Sequence, residues 1–109
     1  MLAEEYLKVM ENKDYEGLAA LFDTNGSIND YCPNGKGEAA YHVYGKEAIN
    51  MFFRNRFTFG HFSISKAVCL DDVNAEFVAS YDGYLVFAKA TIEKSPTGEK
   101  IRRVQIRPR

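Results

Sequence analysis

Gly26-Ser27-Ile28-Asn29-Asp30-Tyr31-Cys32-Pro33 reads as a short strand that stops at a proline. Side chains alternate along a strand, so Ile28, Asp30 and Cys32 share one face and Ser27, Asn29 and Tyr31 the other. The face with Ile28 and Cys32 is the more apolar, which turns Asp30 inward. Aspartate is depleted in strands and seldom buried without a partner. An inward carboxylate is therefore the most informative feature of the chain.

Upstream, Leu2, Tyr6, Val9 and Met10 fall at helical spacing, with Glu4, Glu5, Lys8 and Glu11 on the other side. This predicts a helix over 2–12, broken at Asn12-Lys13. Asp14 is placed to cap a second helix over 15–22, whose buried stripe is Leu18, Leu21 and Phe22. Asp23-Thr24-Asn25-Gly26 reads as a turn cluster.

Downstream, Pro33 to Gly37 is a loop and Ala39 to Tyr44 a short extended piece. Gly45 opens a third helix from Lys46 to about Phe57, with Glu47 favourably placed in its first turn. Ile49, Met51, Phe52, Phe53 and Phe57 make it apolar over more than half its circumference, as in a helix covered on two sides or bordering a pocket. The period then switches to two. His61 to Leu70 carries Phe62, Ile64, Val68 and Leu70 in one row, with Lys66 the exception. Ala75, Phe77, Ala79 and Tyr81 form the next row. Asp82-Gly83 is a two-residue hairpin signal, and Ser95-Pro96-Thr97-Gly98 makes a second hairpin. Between them, Tyr84, Val86, Ala88, Ala90 and Ile92 alternate with Leu85, Phe87, Lys89 and Thr91. In the last strand Ile101 and Val104 are three apart, which predicts a bulge near Arg102-Arg103 if both point inward. Helices followed by a meander of four antiparallel strands indicate an α+β domain over 1–109, with three helices on the concave face of one strongly bent sheet.

The 109 residues suffice for one core, not two. Fourteen basic and 15 acidic residues leave a net charge of -1, so no global field draws nucleic acid or an anionic membrane. Lys100, Arg102, Arg103, Arg107 and Arg109 do cluster, but no aromatics interleave among them as a base-stacking platform would need. Glu4 and Glu5 stand where a secretory leader would be apolar, and no apolar run reaches membrane-span length. Cys32 and Cys69 are the only cysteines and form no C-x-x-C pair. A cytoplasmic protein with two reduced thiols, no metal and no cofactor is expected. Asp30, Cys32 and His42 show no metal-ligand spacing. A nucleophilic Cys32 would need a helix N-terminus or a nearby cation, such as His42 or His61, beside it; a small buried hydrophobe is the simpler reading.

The order of elements resembles the nuclear transport factor 2-like superfamily, which includes ketosteroid isomerases and SnoaL-type polyketide cyclases. Three stretches carry the resemblance. Tyr6 to Asp14 matches the isomerases' first helix and its break, and Leu21-Phe22 with Ile28-Asn29-Asp30 matches the second helix and the strand bearing their base. Gly45-Lys46-Glu47-Ala48-Ile49, with Phe52-Phe53, looks like the entry to the third helix. The resemblance implies a cone-shaped, cystatin-like fold with three N-terminal helices on a mostly antiparallel sheet. It places Asp30 on the isomerases' proton-shuttling aspartate and Tyr6 on their oxyanion-hole tyrosine. Ala90 falls where they keep a protonated aspartate as second donor, and Phe22 and Phe53 replace supporting tyrosines. A single oxyanion donor can be worth about 10²–10³ in rate.

Asp30 and Tyr6 are thus the candidate catalytic pair, and Phe22, Cys32, Phe52, Phe53 and Ala90 the candidate ligand pocket. The pocket would take a small apolar molecule or substrate, and as an enzyme the chain would move a proton next to a carbonyl. Asp30 could equally be a strand-end aspartate bonded to a backbone amide, and Tyr6 a core tyrosine. Two other classes stand beside the enzyme. One is a non-catalytic ligand- or partner-binding dimerisation module; the other is a structural dimer with a filled core. A ring-lined cavity of about 300 Å³ or more would favour the first two over the third. A homodimer through the outer sheet face is expected, with Arg102 or Arg103 meeting Asp71, Asp72 or Glu76 of the mate.

Overall fold

The helical spacing at the N-terminus forms α1 (Leu2–Glu11), which buries Leu2, Ala3, Tyr6, Leu7 and Met10. Asp14 then accepts a hydrogen bond from the Gly17 amide at 2.9 Å and starts α2 (Tyr15–Ala20). The computed structural model describes residues 1–109. After α2 come β1 (Phe22–Asp30), a 3-10 turn (Cys32–Lys36), β2 (Tyr41–Tyr44) and α3 (Lys46–Thr58). The meander follows: β3 (Phe62–Cys69), β4 (Asn74–Tyr81), β5 (Tyr84–Lys94) and β6 (Ile101–Pro108). The six strands lie in the order β2-β1-β6-β5-β4-β3. Only β1 and β6 pair in parallel. All three helices precede β3, although β1 and β2 come between the second and third. No helix is long and apolar enough to cross a membrane.

The hairpins form as their turn residues demand. Asp82 and Gly83 both take positive φ, 55° and 92°, and Tyr81 faces Tyr84 across the turn. The bulge in the last strand is also present. Glu93 faces Arg103 while Lys94 faces Ile101, so Arg102 is the extra residue and Ile101 and Val104 both point inward.

Several expectations need correction. Residues Asp23 to Gly26 are strand, not turn, and Phe22 opens β1 instead of closing α2. The Ile101 amide donates to Leu21 O at 2.8 Å, which draws the chain into the sheet early. Phe22 pairs with Ile101 and Ser27 with Arg103, so β1 absorbs its surplus residues in an irregularity. Gly26 permits this: a Cβ there would lie 2.8 Å from the Phe22 ring and 3.0 Å from Ile101 O. Cys32 has left the strand for the 3-10 turn. In β3, Lys66 adopts φ 51° where the pairing with β4 slips. The slip turns Val68 out of the Phe62–Ile64 row, and Leu70 is exposed as well, while Ala67 and Cys69 pack on the core. Met51 of α3 is also exposed; that helix buries only Ile49, Phe53 and Phe57.

One cluster of 25 buried residues fills the space between the helices and the inner sheet face. Ala75, Phe77, Ala79 and Tyr81 of β4 point into it, with Ala88, Ala90 and Ile92 of β5. The opposite face leaves Val68, Leu85 and Phe87 in water. The acidic partners imagined there for a mate's arginines are engaged within the chain. Glu76 pairs with Arg109 at 2.9 Å, and Asp72 pairs with Lys94. Asp71 accepts from the Val73 amide and from Asn74.

Candidate functional site

Asp30 is the last residue of β1, flanked by Tyr41 of β2 and Ile106 of β6. Alternation along β1 turns it inward, and only 4% of it is exposed. Its Oδ1 accepts from the Cys32 amide at 3.0 Å. Its Oδ2 accepts from the Tyr81 hydroxyl at 2.5 Å, the short end of charge-assisted O–H···O bonds. Burial lifts the Asp30 pKa above the ordinary carboxylate value; the bonds from Tyr81 and Cys32 and the nearby Arg56 charge pull it back in part. Burial and the Asp30 charge raise the Tyr81 hydroxyl in turn. The same two causes push the Cys32 thiol up to about 12, so it stays protonated and poorly nucleophilic at neutral pH.

Asp30 forms part of the wall of a cavity lined also by Tyr41, Val43, Phe52, Phe53, Arg56 and Phe62. The cavity has about 10 Å³ of free space, enough for roughly one water. A ring-lined cavity of about 300 Å³, the size that would favour ligand binding over a filled core, is therefore not present. The rings pack on one another instead. Centroids lie 5.4 Å apart for Tyr41–Phe52, 5.2 Å for Phe52–Phe53 and 5.2 Å for Phe62–Tyr81. The Arg56 guanidinium carbon sits 4.6 Å from the Tyr41 ring centre, 5.8 Å from that of Phe62 and 5.9 Å from that of Phe52. Its nitrogens meet no hydrogen-bond or ion-pair acceptor on the chain.

Of the residues singled out from the sequence, Asp30, Phe52 and Phe53 meet at this cavity. Phe22, Cys32 and Ala90 do not line it. Phe22 is core at the start of β1, Cys32 lies buried beyond Asp30, and Ala90 packs between Ala75 and Ile106. Tyr6 is fully buried and also off the cavity wall. Its hydroxyl has no hydrogen-bond partner, and burial with the Asp30 and Cys32 charges raises its pKa. The hydroxyl that bonds Asp30 is that of Tyr81, which sequence reasoning placed only in a buried row. Arg56 went unnoticed too. Its signal was available: it lies four residues beyond Phe52, on the same helix face.

No protein-family model and no curated protein matches the chain. Solved structures do. An NTF2-like protein of unknown function from Cytophaga hutchinsonii is 10% identical and superposes at a TM-score of 0.67, covering 99% of this chain and 87% of that one. A protein with a ketosteroid isomerase-like fold from Catenulispora acidiphila, in complex with trimethylamine, is 17% identical at a TM-score of 0.66, covering 97% and 83%. A SnoaL-like protein of unknown function from Burkholderia thailandensis is 12% identical at 0.64, covering 98% and 90%. The chain has the nuclear transport factor 2-like fold.

Proposed function

We propose that the chain binds a small, mostly apolar molecule at the Asp30 cavity and that Asp30 exchanges a proton with it. One observation carries this reading: a buried carboxylate of raised pKa, held by Tyr81, on the wall of an aromatic cavity. Burying an aspartate away from water costs stability, so a fold that keeps one beside a cavity suits proton work. With a carbonyl substrate, Asp30 takes a proton from the adjacent carbon; the C–H pair becomes a C=C bond and the C=O π pair moves to the oxygen. As the oxyanion's pair re-forms C=O, the C=C pair takes the proton back, at the same carbon or, in a β,γ-unsaturated substrate, at the far end of the conjugated system. Tyr6 is the candidate donor to the developing oxyanion, because its hydroxyl is buried and unpartnered. Space for a guest comes from Arg56, which is half-buried and can swing toward water. The bound trimethylamine of the Catenulispora protein supports small-ligand binding on this fold.

The test is ligand-observed NMR with small cyclic ketones and alkylamines, on the wild type and Asp30→Asn. A binder should weaken about tenfold or more in the variant, by the size of charge-assisted bonds. Deuterium exchange next to the carbonyl of a bound ketone, lost in Asp30→Asn, establishes catalysis; binding without exchange leaves a non-catalytic ligand-binding module. Absence of any Asp30-dependent binder contradicts both.

The exposed Val68, Leu85 and Phe87 favour a second feature, a homodimer through the outer sheet face. Light scattering should then give twice 12.4 kDa for the wild type and a monomer for Phe87→Glu; a wild-type monomer at every concentration contradicts it. The free Cys32 and Cys69 fit a reducing, cytoplasmic setting.

A further inference from the structure

We infer that the cavity beside Asp30 is a site for a small organic ammonium ion, and that Arg56 fills it as an internal competitor. This rests on the small-molecule reading of the same cavity and names its ligand class.

Ring faces carry negative charge density and attract cations within about 6 Å of the centroid. Three rings from three elements, Tyr41 of β2, Phe52 of α3 and Phe62 of β3, meet that condition toward one guanidinium carbon. The Asp30 carboxyl group stands on the same wall. The place is therefore built for a cation. It is not built for a guanidinium's hydrogen bonds, because Arg56 finds no acceptor there. A cation sheathed in methyl groups needs few acceptors and suits the rings better.

Exchange is also the economical route in space and charge. The remaining cavity, about 10 Å³, admits no organic guest while Arg56 is in place. Withdrawing the guanidinium vacates the space over the three rings without breaking a hydrogen bond. One cation replaces another, so the charge within the cavity is conserved.

The experiment titrates the full chain with tetramethylammonium chloride and, at matched ionic strength, with tert-butyl alcohol as the neutral counterpart. The aromatic NMR signals of Tyr41 and Phe52 report occupancy. The cation should bind about tenfold or more tightly than the alcohol, a span set by desolvated cation–π contacts. Tyr41→Leu should weaken it about fivefold while Tyr41→Phe leaves it unchanged, since only the ring is needed. Arg56→Gln should tighten it several-fold by removing the competitor. A cation that binds no better than the alcohol, or weakens in Arg56→Gln, overturns the inference. If both then bind in an Asp30-dependent way, the small-molecule cavity stands without its ammonium preference. If neither binds, both readings fall.

Discussion

Asp30 and Asp72 carry the same carboxyl group in opposite surroundings. Asp30 closes β1 inside the molecule, where burial outweighs its hydrogen bonds and its pKa rises. Asp72 lies in the turn between β3 and β4. There Lys94 and the Leu2 amide bond it, and its pKa falls. Neighbouring Asp71 falls too, bonded by the Val73 amide and Asn74. The turn aspartates thus favour folding as anions, whereas Asp30 is kept at a cost. Carboxylates of the first kind organise a turn; one of the second kind needs another reason to be there.

Removing the Tyr81 hydroxyl should sharpen this contrast most. Tyr81→Phe leaves the buried Asp30 short of a donor and should cost about 2 kcal/mol in chemical denaturation at neutral pH. It should also raise the Asp30 pKa further, because the lost bond was lowering it. Unchanged stability would mean that the 2.5 Å bond holds nothing in place.

The pH dependence comes next in size. The folded chain binds the Asp30 proton more tightly than the unfolded chain does. Asp30 therefore supports folding in acid, and this support is lost as pH rises from the ordinary aspartate value of about 3.9 toward the folded one. Asp71 and Asp72 act in the opposite sense. Their support is present above that ordinary value and is lost as pH falls through their lowered folded values. In denaturation curves across pH, Asp30→Asn should gain on the wild type as pH rises, and Asp72→Asn should lose. Parallel curves for both variants would erase the distinction between the two regions. The smallest effect is expected for Lys94→Gln, a slight loss that disappears in high salt because the Asp72 pair is solvent-screened.

The inward turn of Asp30 was legible because strand alternation is a local property that eight residues reveal. The Asp82-Gly83 hairpin and the bulge at Arg102 were legible for the same reason. The Tyr81 bond was not. Its partner lies 51 residues away, and the contact depends on β4 and β1 converging at one end of the sheet through strands that sequence cannot order. Phe22 and residues Asp23 to Gly26 misled because turn-forming composition was overruled by the pairing of Phe22 and Ser27 with β6 on either side of it. Lys66 misled because a bulge in mid-strand exchanges the two faces beyond it, and a lysine does not announce a positive φ as glycine would. The fold resemblance pointed to Asp30 and Phe53, which line the cavity, and to Tyr6 and Ala90, which do not; Tyr41, Arg56 and Phe62 also belong to the wall. Position within a fold does not carry chemistry unless the residue type comes with it.

The most direct test of a buried, proton-exchanging Asp30 is its own titration. Carbon-13 NMR of the side-chain carboxyls, with Asp30→Asn assigning the signal, would follow Asp30, Asp71 and Asp72 in one sample. Asp30 should titrate clearly above the ordinary value of about 3.9, with Asp71 and Asp72 below it. An Asp30 that titrates at or below that value, alongside the turn aspartates, would contradict the proposed site.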